Sequence, residues 1–353
     1  MDDPAEQKLN DLRLHLQAAV ELELLLIPPY LCALFSIEPG ANVEAALVIR
    51  SVVIEEMLHL TLAANILNAV GGTPRVTDRK WVGHYPTRLP HHTRSFAVDV
   101  RPFDDTALTT FLAVEHPSFP VGEPPEAPAH AASPRLLTLG SRGEEQYATI
   151  GAFYDAVQRK LEQAVAELGP EQVFTGEASR QVGPEHFYAS GGTARKIGCL
   201  DDALCAFREI VEQGEGKDTK PPPGKKFDGE NDLAHFYRYN ELRQRRRYRI
   251  GDDPLEPTGE PVAIDWDKVY PMQPNLKLAE VPEGELRHAV HRCNGIWYTL
   301  LERVETALTG NPDELQPAVG EMWSLKYAMV ELMRIRMPNG LHAGPTFELP
   351  PVA

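Results

Sequence analysis

The segment "VVIEEMLHLTLAANILNAVGG", residues 52–72, contains two adjacent carboxylates and a histidine within an otherwise apolar run. Its apolar residues recur every three or four positions, which is typical of a helix buried along one face. Glu56 and His59 are three residues apart, so both side chains lie on the same face of such a helix. The same stripe also contains Val52, Ala63, Ile66 and Val70. The polar pair is therefore predicted to lie on the most buried side of the helix.

The preceding segment has a comparable apolar stripe with a carboxylate, Glu23, in its middle; the stripe contains Leu12, Leu16, Ala19, Tyr30 and Leu34. A buried carboxylate costs several kcal/mol unless it is paired, protonated or bound to a metal. The turn "EPGAN" at 38–42 is short, so the two helices are expected to be antiparallel neighbours. That arrangement would bring Glu23, Glu56 and His59 together.

Carboxylates and imidazoles on facing helices hold pairs of iron or manganese ions in some four-helix bundles, which use a Glu-x-x-His motif. The motif alone is weak evidence, because Glu285 and His288 form another copy at the same spacing. Burial on a sustained apolar stripe, together with Glu23, favours a metal site over an ordinary helix ion pair. Glu55 lies on the neighbouring stripe and is expected to support the ligands from the side.

Helical periodicity dominates the rest of the chain, and the sequence predicts an all-α fold with a single domain spanning 1–353. Residues 73–140 lack helical patterning, and "RSFAVDVRPF" within them could form a strand or an extended cover. Thirty-one prolines, many in loops such as 217–231, predict a helical core wrapped by long ordered loops. The predicted helices are about 7–36, with a kink at Pro28 and Pro29, then 43–70, 143–168, 199–213, 230–248, 283–309 and 313–337.

Composition excludes several classes of protein. The formal charge of −16 repels phosphate backbones, so a nucleic-acid partner is not expected. No run of about 18 uncharged apolar residues occurs, and the acidic N-terminus lacks the layout of a secretory signal, so no membrane partner is expected. Four cysteines without a C-x-x-C pair fit a reducing compartment. These features predict a cytoplasmic protein, and its large apolar helical faces are compatible with a homodimer.

Several sequence blocks resemble one known family. "ELELLLIPPYLCALFSI" and "EEMLHLTLAANILNAVGGTP" are similar to the ferritin-like domain of iminophenyl-pyruvate dimer synthases of the VioB type, as are "YATIGAFYDAV", "IVEQGEG", "LAHFYRYNEL" and "HAGPTFE". The resemblance covers nearly the whole chain. It implies a ferritin-like four-helix bundle with long ordered loop insertions, additional C-terminal helices and a metal centre.

The resemblance also implies a set of metal ligands. Glu23, Glu56 and His59 would lie on the first two helices, while Glu212 and His235 would complete the far side. One position departs from the family pattern, because Ala152 stands where an acidic residue is expected in "IGAFY". Glu145 could replace it only from seven residues away, about 10 Å along a helix. The number of ions, one or two, is therefore open at this point.

These expectations lead to a metal-dependent oxidoreductase, with iron as the cofactor and manganese as the alternative. The substrates implied by the resemblance are an amino-acid-derived or aromatic small molecule and dioxygen, as in oxidative coupling during natural-product biosynthesis. The alternatives are an iron-binding, storage or stress-protection protein and a scaffold with a degenerate metal site. Among the other polar groups, Tyr30, Tyr154 and Tyr239 are predicted to be core aromatics, and the histidines at 84, 91, 92, 288 and 291 to lie at the surface.

Overall fold

The computed structural model describes residues 3–91, 96–118, 145–187, 191–215 and 233–350. Within these ranges the protein is all-helical, as predicted, with isolated β-bridges and no strand. The proline-rich loop at 217–231 and His92 lie outside the described residues. The α-helices are α1 (Pro4–Ser36), α2 (Val43–Ala69), α3 (Asp105–Val114), α4 (Ile150–Leu168), α5 (Pro170–Val173), α6 (Leu200–Gly214), α7 (His235–Gln244), α8 (Glu285–Leu308) and α9 (Leu315–Met333).

Four helices form the bundle that the sequence predicts. Helix α1 packs along α2 and α4, and α6 packs against both α2 and α4, which closes a ring of four. Helices α3 and α7 pack against each other, and α7 also contacts α2. Helices α8 and α9 form a separate pair, with α9 contacting α1. Nearly all of the apolar side chains of α1 and α2 are buried, because each of these two helices is covered on several sides.

Helix α1 runs through Pro28 and Pro29 without interruption. A proline has no amide hydrogen, so Pro29 leaves the carbonyl of Leu25, four residues earlier, without its helical donor. The hydroxyl of Tyr85 donates to that carbonyl at 2.8 Å and replaces the lost bond. A side chain from the following irregular segment therefore stabilises the helix at the point where the sequence predicts a kink.

Helix α1 is also long and apolar enough, by length and composition, to cross a membrane. Its most apolar 18-residue window has a mean hydropathy of 1.7, but 89% of that window is buried inside the protein. The helix is thus covered by the rest of the bundle, as the core helix of a globular domain is.

Helix α3 was not predicted, because it lies in the proline-rich segment 73–140 that lacks a long helical pattern. Asp104 begins it as an N-cap, and its carboxylate accepts a hydrogen bond from the amide of Ala107 at 2.7 Å. Of the possible strand at 94–103, residues 96–103 form no strand and make a single bridge, between Val98 and Thr87, while residues 94 and 95 lie outside the described residues. Helix α3 ends at Glu115, a buried carboxylate.

Candidate metal centre

Helices α1 and α2 bring the first three predicted ligands together. Glu23, Glu56 and His59 are each 2% exposed, so water cannot stabilise their charges. The Nδ1 atom of His59 lies 3.7 Å from Glu23 Oε2 and 3.8 Å from Glu56 Oε2. One ligand atom from each residue lies within 4.8 Å of the other two. This is the cluster that the helical stripes predict.

A second cluster shares Glu56 with the first. His235, the first residue of α7, directs its Nδ1 atom to within 2.9 Å of Glu56 Oε1 and 3.5 Å of Glu115 Oε2. Glu56 therefore turns Oε2 towards His59 and Oε1 towards His235. A carboxylate placed between two histidines in this way can bridge two metal ions. The five residues of the two clusters come from α1, α2, the end of α3 and the start of α7.

Four of the five predicted ligands thus converge, and Glu212 does not join them. Glu212 is half-buried on α6 and belongs to neither cluster of the described residues. The buried acid of that helix end is Glu215, which accepts hydrogen bonds from the amides of Ser118 and Gly151 at 2.8 and 2.7 Å. The third carboxylate of the centre is instead Glu115, which the sequence reasoning missed. The available signal was the N-cap Asp104 followed by apolar residues at helical spacing.

Both histidines are oriented by hydrogen bonds on their outer nitrogen. His235 Nε2 lies 2.9 Å from Glu55 Oε2, and an ionised carboxylate can only accept, so Nε2 carries the hydrogen. His59 Nε2 lies 2.8 Å from the amide oxygen of Gln213, whose nitrogen donates to the carbonyl of Gly191. Each imidazole, in the neutral form that binds a metal, therefore presents the lone pair of Nδ1 to the cluster. Outer contacts of this kind fix the ring and the tautomer of metal-binding histidines.

Glu55 lies beside the second cluster, on the neighbouring stripe of α2, and contacts His235 and Arg238. Arg238 donates to it through two nitrogens, Nη1 to Oε1 and Nη2 to Oε2, both at 2.9 Å. Although burial opposes ionisation, His235 and Arg238 together hold the pKa of Glu55 below its usual value. The result is a buried chain of contacts from Arg238 through Glu55 to His235.

Two tyrosines hold the outer oxygens of the terminal carboxylates. The Tyr154 hydroxyl donates to Glu23 Oε1, and the Tyr30 hydroxyl donates to Glu115 Oε1. In each carboxylate the other oxygen, Oε2, faces a histidine. Both tyrosines are buried, as predicted for core aromatics, and they also orient the candidate ligands.

The electrostatics of the centre favour an added positive charge. Burial and the neighbouring Glu56 raise the pKa of Glu23 to about 8, and burial also raises the pKa of Glu115. Contacts with His235 and His59 overcome the effect of burial and lower the pKa of Glu56. The carboxylates raise the pKa of His59 to about 10, against the effect of burial. Without a cation, protons must balance three carboxylates, and metal ions would displace those protons.

The donor atoms fit divalent metal ions in both number and spacing. Glu56 Oε2 and His235 Nδ1 are buried, and neither atom has a hydrogen-bond partner among the described residues. Ligand atoms about 2.1 Å from one ion lie roughly 3–4 Å apart, and the contacts between 2.9 and 3.8 Å fall in this range. Carboxylate oxygens with imidazole nitrogens suit iron and manganese. Glu23 and His59 would hold one ion, Glu115 and His235 the other, and Glu56 both.

Comparisons with known proteins agree with this architecture. A family model described as ferritin-like matches residues 16–244. A ferritin-like protein from Caulobacter vibrioides has a similar solved structure, with a TM-score of 0.61 and 23% sequence identity, over 95% of this chain and 96% of that chain. No curated protein sequence matches the chain significantly. At this level of identity the structural likeness extends to the fold alone.

Proposed function

Because this chain belongs to the ferritin-like family, we propose that its buried cluster binds two divalent metal ions, with iron favoured and manganese as the alternative. The observation that carries the proposal is the position of Glu56, whose two oxygens face two different histidines. A single ion would leave one of these oxygens, and the histidine beside it, buried without a cation. Glu115 takes the place predicted for Glu212, so the two clusters contain three carboxylates and two histidines although position 152 is an alanine.

We propose further that the protein is a non-haem oxidoreductase of the iminophenyl-pyruvate dimer synthase type. A bound pair of iron ions would supply the electrons with which such a centre reduces dioxygen. The sequence resemblance supports an amino-acid-derived or aromatic metabolite as the second substrate, and oxidative coupling as the reaction. The protein's own residues keep water from the centre, since every candidate ligand is at most 4% exposed. The hydroxyls of Tyr30 and Tyr154 donate to Glu115 and Glu23, and each can keep this proton in place while the net charge of the ligands changes.

Metal analysis of purified protein tests the binding part of this proposal. Wild type should bind about two ions per chain, and Glu56→Ala should lose both, because both clusters need this carboxylate. Glu115→Gln should lose one ion. Glu212→Gln is the matched control on α6 and should keep two. Equal metal content in the Glu115 and Glu212 variants would contradict the assignment, and no metal in wild type would indicate a degenerate scaffold.

Dioxygen consumption then separates an oxidoreductase from an iron-storage or stress-protection protein. An oxidoreductase should consume dioxygen in proportion to an aromatic α-amino acid or its imine and form no mineral core. Storage should consume dioxygen in proportion to added ferrous iron and accumulate ferric mineral. The second result would overturn the proposed activity and leave the metal assignment intact.

Location and assembly follow as proposals from the sequence. All four cysteines are free, which supports a reducing compartment such as the cytoplasm. We also propose that a homodimer is the form to test first, by measuring the mass of the protein in solution.

A further inference from the structure

A cavity of about 830 Å³ lies apart from the metal centre, and none of its lining residues belongs to either metal cluster. Its walls come from residues 79–84 in the irregular segment after α2, the 3-10 helix Leu278–Glu280 with Lys277 before it, the start of α8 and the C-terminal segment. The polar lining consists of Arg79, His84, Lys277, Arg287, His291 and Glu348. Most of these groups are basic, although the chain carries 51 acidic and 35 basic residues.

Hydrogen bonds between side chains and backbone groups hold the walls of this cavity in place. The amide of Leu278 donates to Glu348 Oε2 at 2.9 Å, and the ammonium of Lys277 donates to the carbonyl of Tyr85. Gly83 has φ +80°, and a Cβ on it would lie 2.4 Å from the carbonyl oxygen of Phe347. The segment 79–84 and the C-terminal segment therefore approach each other closely, and position 83 requires glycine. The cavity is formed by four packed segments, not by one loose loop.

Two of the three cations in the wall have no carboxylate ion-pair partner among the described residues. Among the described residues, neither Arg79 nor Lys277 forms an ion pair with a carboxylate, and Arg79 lies 5.7 Å from the centre of the Tyr298 ring. Arg287 pairs with Glu283 through Nη1 and donates to the carbonyl of Leu278 at 3.1 Å through Nη2. Its Nε atom is buried, and no described residue forms a hydrogen bond with it.

The charge balance of the lining is positive. The lining contains three cations, Arg79, Lys277 and Arg287, and one carboxylate, Glu348, which already accepts an amide hydrogen. Outside the lining, Glu283 pairs with Arg287, and Glu280 lies close enough to Lys277 to stabilise its charge. Burial lowers the pKa of Lys277, which shows the cost of holding this ammonium away from water. An anion in the cavity would offset that cost and accept charge-assisted hydrogen bonds from the guanidinium groups. Val82 and Leu349 give the same cavity an apolar side.

We propose that this cavity binds a small organic anion, in which a carboxylate or phosphate group is attached to an apolar body. The oxyanion would lie among Arg79, Lys277 and the unpartnered Nε of Arg287, and the apolar body would lie against Val82 and Leu349. Because the site shares no residue with the metal centre, the proposal does not depend on the proposed oxidoreductase activity.

Calorimetric titration at constant ionic strength tests the proposal with three probes that share one ring: benzoate, phenyl phosphate and the neutral benzamide. At least one anion should bind at millimolar concentration or below, and benzamide should bind at least about 10-fold more weakly. The stronger of the two anions then identifies the oxyanion that the site prefers. Equal binding of benzamide, or no binding of either anion, would overturn the proposal.

Variants locate the binding. Arg79→Gln and Lys277→Gln each remove one cation and keep a hydrogen-bond donor, and each should weaken anion binding about 10-fold or more. Arg249→Gln is the matched control, because Arg249 is 61% exposed, pairs with Glu260 and lies outside the cavity. Glu56→Ala should bind the anion as wild type does, which separates this site from the metal centre. If the Arg79 and Lys277 variants, with wild-type melting temperatures, bind as the control does, the assignment is wrong.

Discussion

Replacing Glu55 by glutamine should weaken metal binding and folding by two separable routes. Glutamine has nearly the same shape, but it has no charge and only one acceptor oxygen. His235 loses the carboxylate that fixes its Nε2 hydrogen. Loss of such an outer partner typically lowers metal affinity 10- to 100-fold, or about 1.4–2.8 kcal/mol. Because His235 belongs to only one cluster, the ion held by Glu23 and His59 should be affected less.

Glu55→Gln should also destabilise the fold, because it leaves the buried charge of Arg238 without its carboxylate partner. Arg238 is 4% exposed, and Glu55 is its carboxylate partner among the described residues. Its other acceptors, Ser51 Oγ and the carbonyl of Leu233, are neutral. Removing one partner of a buried ion pair costs about 3–5 kcal/mol, so metal-free Glu55→Gln should lose roughly that much unfolding free energy.

A double variant separates the two effects. Glu55→Gln with Arg238→Gln removes the uncompensated charge, so most of the lost stability should return in urea unfolding of the metal-free protein. Metal affinity, measured by competition with a chelator, should stay low because His235 still lacks its carboxylate. If the single variant keeps wild-type stability and affinity, or the double variant recovers both, the account of this contact chain is refuted.

Three further predictions concern the tyrosine contacts, a buried acid and the glycines. Tyr30→Phe should lower the affinity for the ion at Glu115 about 10-fold by chelator competition. Tyr237→Phe should not change it, because the Tyr237 hydroxyl has no hydrogen-bond partner in the described part of the chain. Equal effects would refute the role of the Tyr30 hydroxyl. Burial raises the pKa of Glu21 from 4.5 to about 7, so its protonated form stabilises the fold below about pH 4.5 and this contribution is lost as the pH rises through 7. Glu21→Gln should therefore be up to about 3 kcal/mol more stable than wild type at about pH 8 and nearly equal at about pH 4, in urea unfolding; a pH-independent difference would contradict this. Gly176→Ala should destabilise the protein by about 1–3 kcal/mol, because its Cβ would lie 1.7 Å from the carbonyl oxygen of Asn68. Gly295→Ala, in open space within α8, should stabilise it by about 0.5–1 kcal/mol. A melting temperature that rises in the first variant, or falls in the second, would contradict the corresponding prediction.

The bundle and the first cluster, Glu23, Glu56 and His59, could be predicted because they depend on helical periodicity within two consecutive segments. Helical period places Glu56 and His59 on one face, and the short turn after α1 makes Glu23 their neighbour. The same stripes predict the buried face of each helix. His235 could be predicted only from the family resemblance, because 176 residues separate it from His59 in the sequence.

Glu115 shows why the rest could not be predicted. It lies just beyond a ten-residue helix within a segment rich in proline, and no local pattern indicates that this helix end meets α7. The choice between Glu115 and Glu212 depends on packing between distant segments, not on periodicity. The partner of Glu55 is equally non-local, because Arg238 follows it by 183 residues.

Anomalous diffraction from crystals loaded with ferrous iron tests the central claim most directly. Two iron peaks should flank the carboxylate of Glu56, one bound by His59 Nδ1 and Glu23, the other by His235 Nδ1 and Glu115. A single peak, coordination through either Nε2 atom, or iron bound elsewhere with Glu56 free of metal would contradict the account.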